Sequence, residues 1–277
     1  MATLAAPLMN DTAMTGTADV PFMLPGRPKL RFDLPKAWRH FRELVKDKEN
    51  TAEVFPIFEA LPWRGIYDAA RAFLSTERGQ RIRASEPSLV TILDDHEALR
   101  KLPAGSVGQV YCDFMEREGL SAQGLVDELE KYRPANSRFR DQVDWYTCRL
   151  RDTHDLMHVL SGYGRDALGE QCVLAFTYGQ QPALAHLFLG YAGALEIARR
   201  GRVKVPIFRA VREGHKMGKV CSRLAEMPIR DVLAMPLEEA RRMLGIRPAR
   251  YYPEAHAKWR AAGIDPYDLL AAAKQAA

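Results

Sequence analysis

The sequence predicts an all-α protein, one multi-helix domain, on three observations. Apolar residues recur every three or four positions, the period of a helix face, and no segment alternates with the period of two that a half-buried strand needs. Capping residues and glycines stand where these periodic runs begin and end. Apolar residues make up 47% and charged residues 27% of 277, a globular balance in a chain long enough to build a core without staples. No internal repeat or low-complexity linker divides it, so a single helical domain is expected over 29–277.

The elements follow in order. Residues 1–28 carry Asp11 and Asp19 and no basic residue before Arg27, which fits neither a secretory signal nor an Arg-rich transit peptide; a disordered lead is expected. Ser106 is placed to cap a helix whose apolar face is Val107, Val110, Tyr111, Phe114 and Met115, and Gly119 is placed to end it. Ser121 starts the next, through Leu125, Leu129 and Tyr132, with Pro134 as its stop. The run DQVDWYTCRLRDTHDLMHVLSG (141–162) reads as one helix with Val143, Tyr146, Leu150, Met157 and Leu160 inward and glycines at 162 and 164 after it. A further helix opens near Leu168 and runs to Tyr178, where GQQP breaks the pattern before an apolar helix over 183–200. Residues 205–226 follow, then short helices around 237–244 and 253–261 and an Ala-rich tail.

Composition narrows the function classes. The net charge of +5 is diffuse; the clusters RRGRVK (199–204) and RR (241–242) read as solvated helix ends, and no aromatic–basic stripe or zinc-finger spacing points to nucleic acid. Cys112, Cys148, Cys172 and Cys221 form no C-x-x-C pair, so reduced thiols in a cytoplasmic setting are expected rather than a disulfide scaffold. The longest apolar run, PALAHLFLGYAGALEIA (182–198), is interrupted by His186 and Glu196 and falls short of the ~20 residues of a membrane span.

The stretch that carries chemistry is HDLMH, residues 154–158. On a helix, positions four apart are rotated by about 40° and separated by about 6 Å, so His154 and His158 share a face and two imidazoles can clasp one ion. Asp155 flanks that face, placed either to join the ion or to orient a histidine. The bland alternative is a solvated helix face. A third ligand is needed, and the next acid on an apolar background is Glu170. On an unbroken helix it would lie about 18 Å from His158. Gly162 and Gly164 supply the left-handed residues that end one helix and let a second return, bringing Glu170 back on its first turn. The spacing therefore predicts a metal site between two helices of a hairpin.

Two histidines and a carboxylate admit two chemistries: zinc hydrolysis with the acid beside the first histidine as general base, or non-haem iron handling oxygen. Asp155 is one methylene shorter than the Glu of H-E-x-x-H metalloproteases, which puts it farther from a zinc-bound water. Asp152 is a candidate to orient a ligand, or a partner for Arg151. His40, His96, His186, His215 and His256 are scattered and read as structural. The acidic pair at 94–95 precedes HEAL and reads as a helix cap.

HDLMHVLSGYGRDALGE resembles the H-D-x-x-H-x11-E signature of the ubiquinone biosynthesis family called coenzyme Q protein four, with His154, Asp155, His158 and Glu170 on its four metal-ligand positions. The likeness extends through LPAGSVGQVYCDFMEREGLS, RLRDTH and PLEEARRMLGI, roughly residues 60 to 250. The resemblance implies an all-helical protein binding a divalent metal, zinc, iron, manganese or cobalt, together with a polyprenylated hydroxybenzoate-type lipid. It implies oxidative decarboxylation at ring carbon one, with Asp155 taking part, or a non-catalytic organiser of the ubiquinone assembly. Other ubiquinone biosynthesis enzymes, and a second copy of the chain, are the protein partners to expect, at the inner face of a membrane. For the lipid tail, Ala185, Leu189, Ala192 and Leu195, with Gly190 and Gly193 between them, offer a slim apolar surface.

Overall fold

The computed structural model describes residues 20–27, 29–46, 51–132 and 139–269. Among them no strand forms, and the one β-type pairing is an isolated bridge between Ser106 and Pro236. The first half of the chain folds as α1 (Leu34–Lys46), α2 (Val54–Ala60), α3 (Ile66–Leu74), α4 (Glu77–Ser85), α5 (Leu89–Leu93), α6 (His96–Arg100), α7 (Val107–Glu118) and α8 (Ala122–Tyr132). The second half holds α9 (Gln142–Asp152), α10 (His154–Ser161), α11 (Ala167–Gln180), α12 (Leu184–Arg200), α13 (Ile207–Val220), α14 (Ile229–Ala234), α15 (Leu237–Leu244) and α16 (Tyr251–Ala261). The expected stop at Pro134 and the Ala-rich tail beyond Leu269 lie outside the described residues.

Local chemistry explains most of these ends. Ser106 caps α7 by accepting from the Gln109 N–H, and Gly119 closes it with φ +66°. Asp95 caps α6 through the Ala98 N–H at 3.0 Å. Its neighbour Asp94 reaches across to accept from Ala122 and Gln123 at the start of α8 (2.7 and 2.9 Å). The run expected as one helix over 141–162 is two, because Thr153 breaks it at φ −80°, ψ 0°. Its hydroxyl, fully buried, donates back to the Leu150 carbonyl at 3.2 Å, a local bond that competes with the helix ladder.

The hairpin of α10 and α11 packs inside the largest apolar cluster, with Tyr111, Phe114 and Met115 of α7, Leu156 and Met157 of α10, Cys172 and Phe176 of α11, Val211 of α13 and Trp259 of α16. Helix α11 is its axis. On one side Gly214 and Gly218 of α13 lie so close that an added Cβ would stand 2.6 Å from the Cys172 carbonyl oxygen and 2.0 Å from that of Phe176. On another, Gly190 and Gly193 of α12 meet Gln171 and Ala175. These glycines serve helix–helix approach rather than a lipid groove.

Two expectations are corrected here. Of the residues proposed to line a lipid groove, Ala185 and Leu189 are buried in a cluster with Ala37, Phe41, Ile57 and Leu61. Ala192 packs against that cluster from its edge, and Leu195 faces outward, so the four share no common surface. Residues 20–27, assigned from sequence to the disordered lead, are tied to α9: Pro21 and Phe22 carbonyls accept from Gln142 and Val143, and Arg27 pairs with the buried Asp141. Apart from Arg27, these residues make their polar contacts through backbone groups, which composition does not reveal. Residues 1–19 and 28 lie outside the described residues.

Candidate metal centre

The chain doubles back as the spacing required. Gly162 ends α10 in the left-handed region (φ +76°), and Asp166 starts α11 by accepting from the Leu168 and Gly169 N–H groups. Glu170 thereby enters on the first turn of α11 opposite both histidines. His154 Nε2 stands 3.4 Å from Glu170 Oε1, and His158 Nε2 stands 3.2 Å from Glu170 Oε2. The two imidazoles are 5.0 Å apart and nearly perpendicular, and one ligand atom from each of the three residues lies within 4.8 Å of the others.

His158 is the most constrained of the three. Its ring is buried, stacked on Phe114 at 5.6 Å, and its Nδ1 meets the Tyr163 carbonyl at 3.0 Å. A carbonyl only accepts, so Nδ1 carries the proton and Nε2 presents a lone pair. That lone pair is buried without a hydrogen bond and faces a carboxylate oxygen, two acceptors turned toward each other. Such a juxtaposition is unfavourable until a proton or a metal cation sits between them. The spacing fits one: ligands about 2.1 Å from a shared tetrahedral ion lie about 3.4 Å from one another.

The metal-free charges point the same way. Burial pushes the His154 pKa down, but the adjoining Glu170 carboxylate outweighs it and the net shift is upward. Burial pushes Glu170 up, and the two imidazoles more than reverse this, holding it well below the usual carboxylate range. In the absence of an ion, the carboxylate recruits a proton onto His154.

Asp155, expected as the fourth ligand, is outside the three-residue cluster. One residue along a helix is a rotation of about 100°, which carries its carboxylate off the ligand face. Its charge acts on His154 and on the phenol of Tyr111, whose hydroxyl is buried without a hydrogen bond. Asp152 takes the other course open to it and pairs with Arg151 at 2.7 Å, while the acceptor that orients His158 is the Tyr163 carbonyl.

Three of the scattered histidines have acidic partners: His40 with Glu53 (2.6 Å), His96 with Glu116 (3.5 Å) and His256 with Asp166 (3.1 Å). His215 lies edge-on to Tyr178. His186 differs. Its Nδ1 is buried with no hydrogen bond, its ring lies edge-on to Phe58 at 4.6 Å, and burial, with a smaller push from His154, takes its pKa down to about 3. Nothing in its sequence context marked it out.

Fold and site together define an all-helical protein with two histidines and one carboxylate gathered on a hairpin. The chain matches the family described as coenzyme Q (ubiquinone) biosynthesis protein Coq4 over residues 54–250, and it belongs to that family. The mitochondrial ubiquinone biosynthesis protein COQ4 homolog of Anopheles gambiae is 33% identical over 101 residues, 36% of this chain and 33% of that one. The mitochondrial ubiquinone biosynthesis protein coq4 of Talaromyces stipitatus is 29% identical over 183 residues, 65% of this chain and 60% of its own. A solved structure from Nostoc punctiforme, described as a ubiquinone biosynthesis protein, aligns with a TM-score of 0.49 and 18% identity, over 77% of this chain and 98% of that one. Among the described residues no helix is long and apolar enough to cross a membrane. None of the four cysteines forms a disulfide.

Proposed function

We propose that the chain is a divalent-metal enzyme that replaces the ring carboxylate of a polyprenylated hydroxybenzoate with a hydroxyl. The carboxylate leaves as carbon dioxide, the ring carbon gives up two electrons to dioxygen, which leaves as hydrogen peroxide, and water supplies the hydroxyl oxygen. The single observation that carries this reading is the lone pair of the neutral His158 Nε2, fixed by Tyr163 and turned on Glu170 within reach of His154, an arrangement that a bound metal cation would satisfy. Family membership supplies the pathway. His154, His158 and Glu170 would hold the ion, which would supply positive charge for the substrate carboxylate and the phenolate that follows it. Zinc performs no redox chemistry, so iron, manganese or cobalt fits an oxidative step more directly.

The chain's own residues complete the arrangement. Phe114 walls the His158 ring, Tyr163 fixes its tautomer, and Asp155 keeps negative charge beside His154. Partner enzymes of the same pathway, a second copy of the chain and a peripheral position on a membrane belong to this reading as well. Exposed Leu34 and Trp38 on α1 favour a second reading, a non-catalytic organiser that presents the prenylated lipid to other enzymes. A zinc hydrolase is disfavoured because Asp155, one methylene shorter than the glutamate of H-E-x-x-H enzymes, is farther from a zinc-bound water.

The test is protein loaded in turn with zinc, iron, manganese and cobalt and offered a prenylated hydroxybenzoate in air. Release of carbon dioxide with ring hydroxylation, lost in His158→Ala, is the expected result. Lipid binding without turnover under every metal would replace the enzyme with the organiser.

A further inference from the structure

The turn that brings Glu170 to the histidines is held by a helix that supplies no ligand. Asp166 is buried, and its carboxylate does more than cap α11. Oδ2 accepts from the Tyr252 hydroxyl, and Oδ1 accepts from His256 Nε2 at 3.1 Å. The Tyr252 oxygen in turn accepts from the Gly164 N–H at 2.9 Å, and its ring lies edge-on to Tyr163 at 5.3 Å. Two side chains one turn apart on α16 thus grip Tyr163, Gly164 and Asp166. Those residues lie between the carbonyl that orients His158 and the carboxylate of Glu170.

The grip has no slack. A Cβ on Gly164 would stand 2.8 Å from the Tyr252 oxygen, and one on Gly169 would stand 2.1 Å from the Gly164 carbonyl oxygen. Glu170 donates its own N–H to the Asp166 carbonyl at 3.0 Å, so any shift of Asp166 passes directly to the ligand's backbone. Both gripping residues, Tyr252 and His256, fall beyond residues 54–250, outside the stretch that matches the family.

We infer that Tyr252 and His256 are positioning residues of the metal centre, setting where Glu170 stands relative to His154 and His158 through the buried Asp166. The inference rests on the metal reading of the cluster. Groups that orient ligands without touching the ion are worth about 10- to 100-fold in affinity, because a ligand atom must sit within a few tenths of an ångström of its place.

The experiment titrates the full chain with Co²⁺ against a competing chelator and records the visible absorption of the bound ion. In parallel, hydrogen exchange is followed over residues 162–170 of the metal-free protein. Tyr252→Phe and His256→Leu are expected to weaken Co²⁺ binding by about tenfold or more, shift the visible bands and speed exchange in the turn, with helical circular dichroism retained. His256→Gln keeps an N–H for Asp166 and is expected to stay near the parent protein. Unchanged affinity, spectrum and exchange in folded Tyr252→Phe would overturn the inference, and so would a loss in His256→Gln equal to that in His256→Leu. If His256→Leu does not fold, Tyr252→Phe, which removes only an oxygen, decides. If the parent protein takes up no Co²⁺ at all, the metal reading fails by itself. Exchange in the turn then tests the grip alone, and unaltered exchange in the variants sinks it.

Discussion

A histidine's tautomer is set by what its other nitrogen touches, and for His158 that neighbour is a backbone oxygen. No side-chain motif encodes it; it follows from the tight turn at Gly162, which folds Tyr163 back over the ring. Among the described residues Glu170 is the one acid paired with both imidazoles, so Glu170→Ala should abolish stoichiometric metal binding while helical circular dichroism stays close to the parent. Metal retained at one ion per chain would show that the three residues are not the site. The pH dependence separates the metal-free and loaded forms. The His154 pKa is raised above 6.5 in the fold, so its pairing with Glu170 stabilises fully below that unfolded value and is lost as pH climbs through the raised one. Glu170 is lowered from 4.5, so its contribution is present above that value and is lost as pH falls through the depressed one. A metal competes with the proton on His154 and gains on the same climb. Stability to heat in EDTA should therefore weaken as pH climbs above about 6.5, while the further stabilisation given by excess metal should grow; parallel slopes would contradict the shared site.

Between helices, approach distance decides how firmly the hairpin is seated. Helix α11 carries Glu170 on one face and meets α13 backbone to backbone on another, at Gly214 and Gly218. A methyl on Gly218 has nowhere to go, because the Phe176 carbonyl oxygen would stand 2.0 Å away and neither helix backbone yields cheaply. Gly218→Ala should cost about 1–3 kcal/mol in urea unfolding and should weaken metal binding by tilting α11, whereas Gly124→Ala, whose nearest neighbour is the Ser121 hydroxyl at 3.2 Å, should be mild. Equal effects would mean that α11 and α13 tolerate separation. The helices legible in the sequence were those with their signals written locally: Ser106 and Gly119 around α7, and the paired glycines after α10. The break at Thr153 was not legible, since a buried threonine and an exposed one read alike until their surroundings are known. The same holds within the site. Spacing brings His154, His158 and Glu170 together, because a helical period and a turn suffice; Asp155 stands outside that cluster because adjacency in sequence is a large rotation in space.

Across the whole molecule, residues 20–27 are joined to the helix that leads into the site. Arg27 and Asp141 are 114 residues apart, and Asp141 is fully buried at the start of α9, whose last residue adjoins the break before His154. Its carboxylate also accepts from Leu24 and Asp144 N–H groups at 2.8 Å. Burial raises the Asp141 pKa, but the Arg27 guanidinium and those two N–H groups outweigh it, and the pKa is lowered. Its contribution is thus present above an ordinary aspartate's value and is lost as pH falls through the depressed one. Arg27→Ala leaves a buried charge with part of its solvation removed, so unfolding free energy near neutral pH should fall by about 3 kcal/mol, and acid unfolding should begin at a higher pH. Adding Asp141→Asn to Arg27→Ala removes the stranded charge and should recover part of that loss, because an amide is cheaper to bury than a carboxylate without its counter-charge. Urea titrations of the two single variants and the double variant measure this. A double variant no more stable than Arg27→Ala would mean that residues 20–27 hold α9 through their backbone contacts, with the ion pair contributing little.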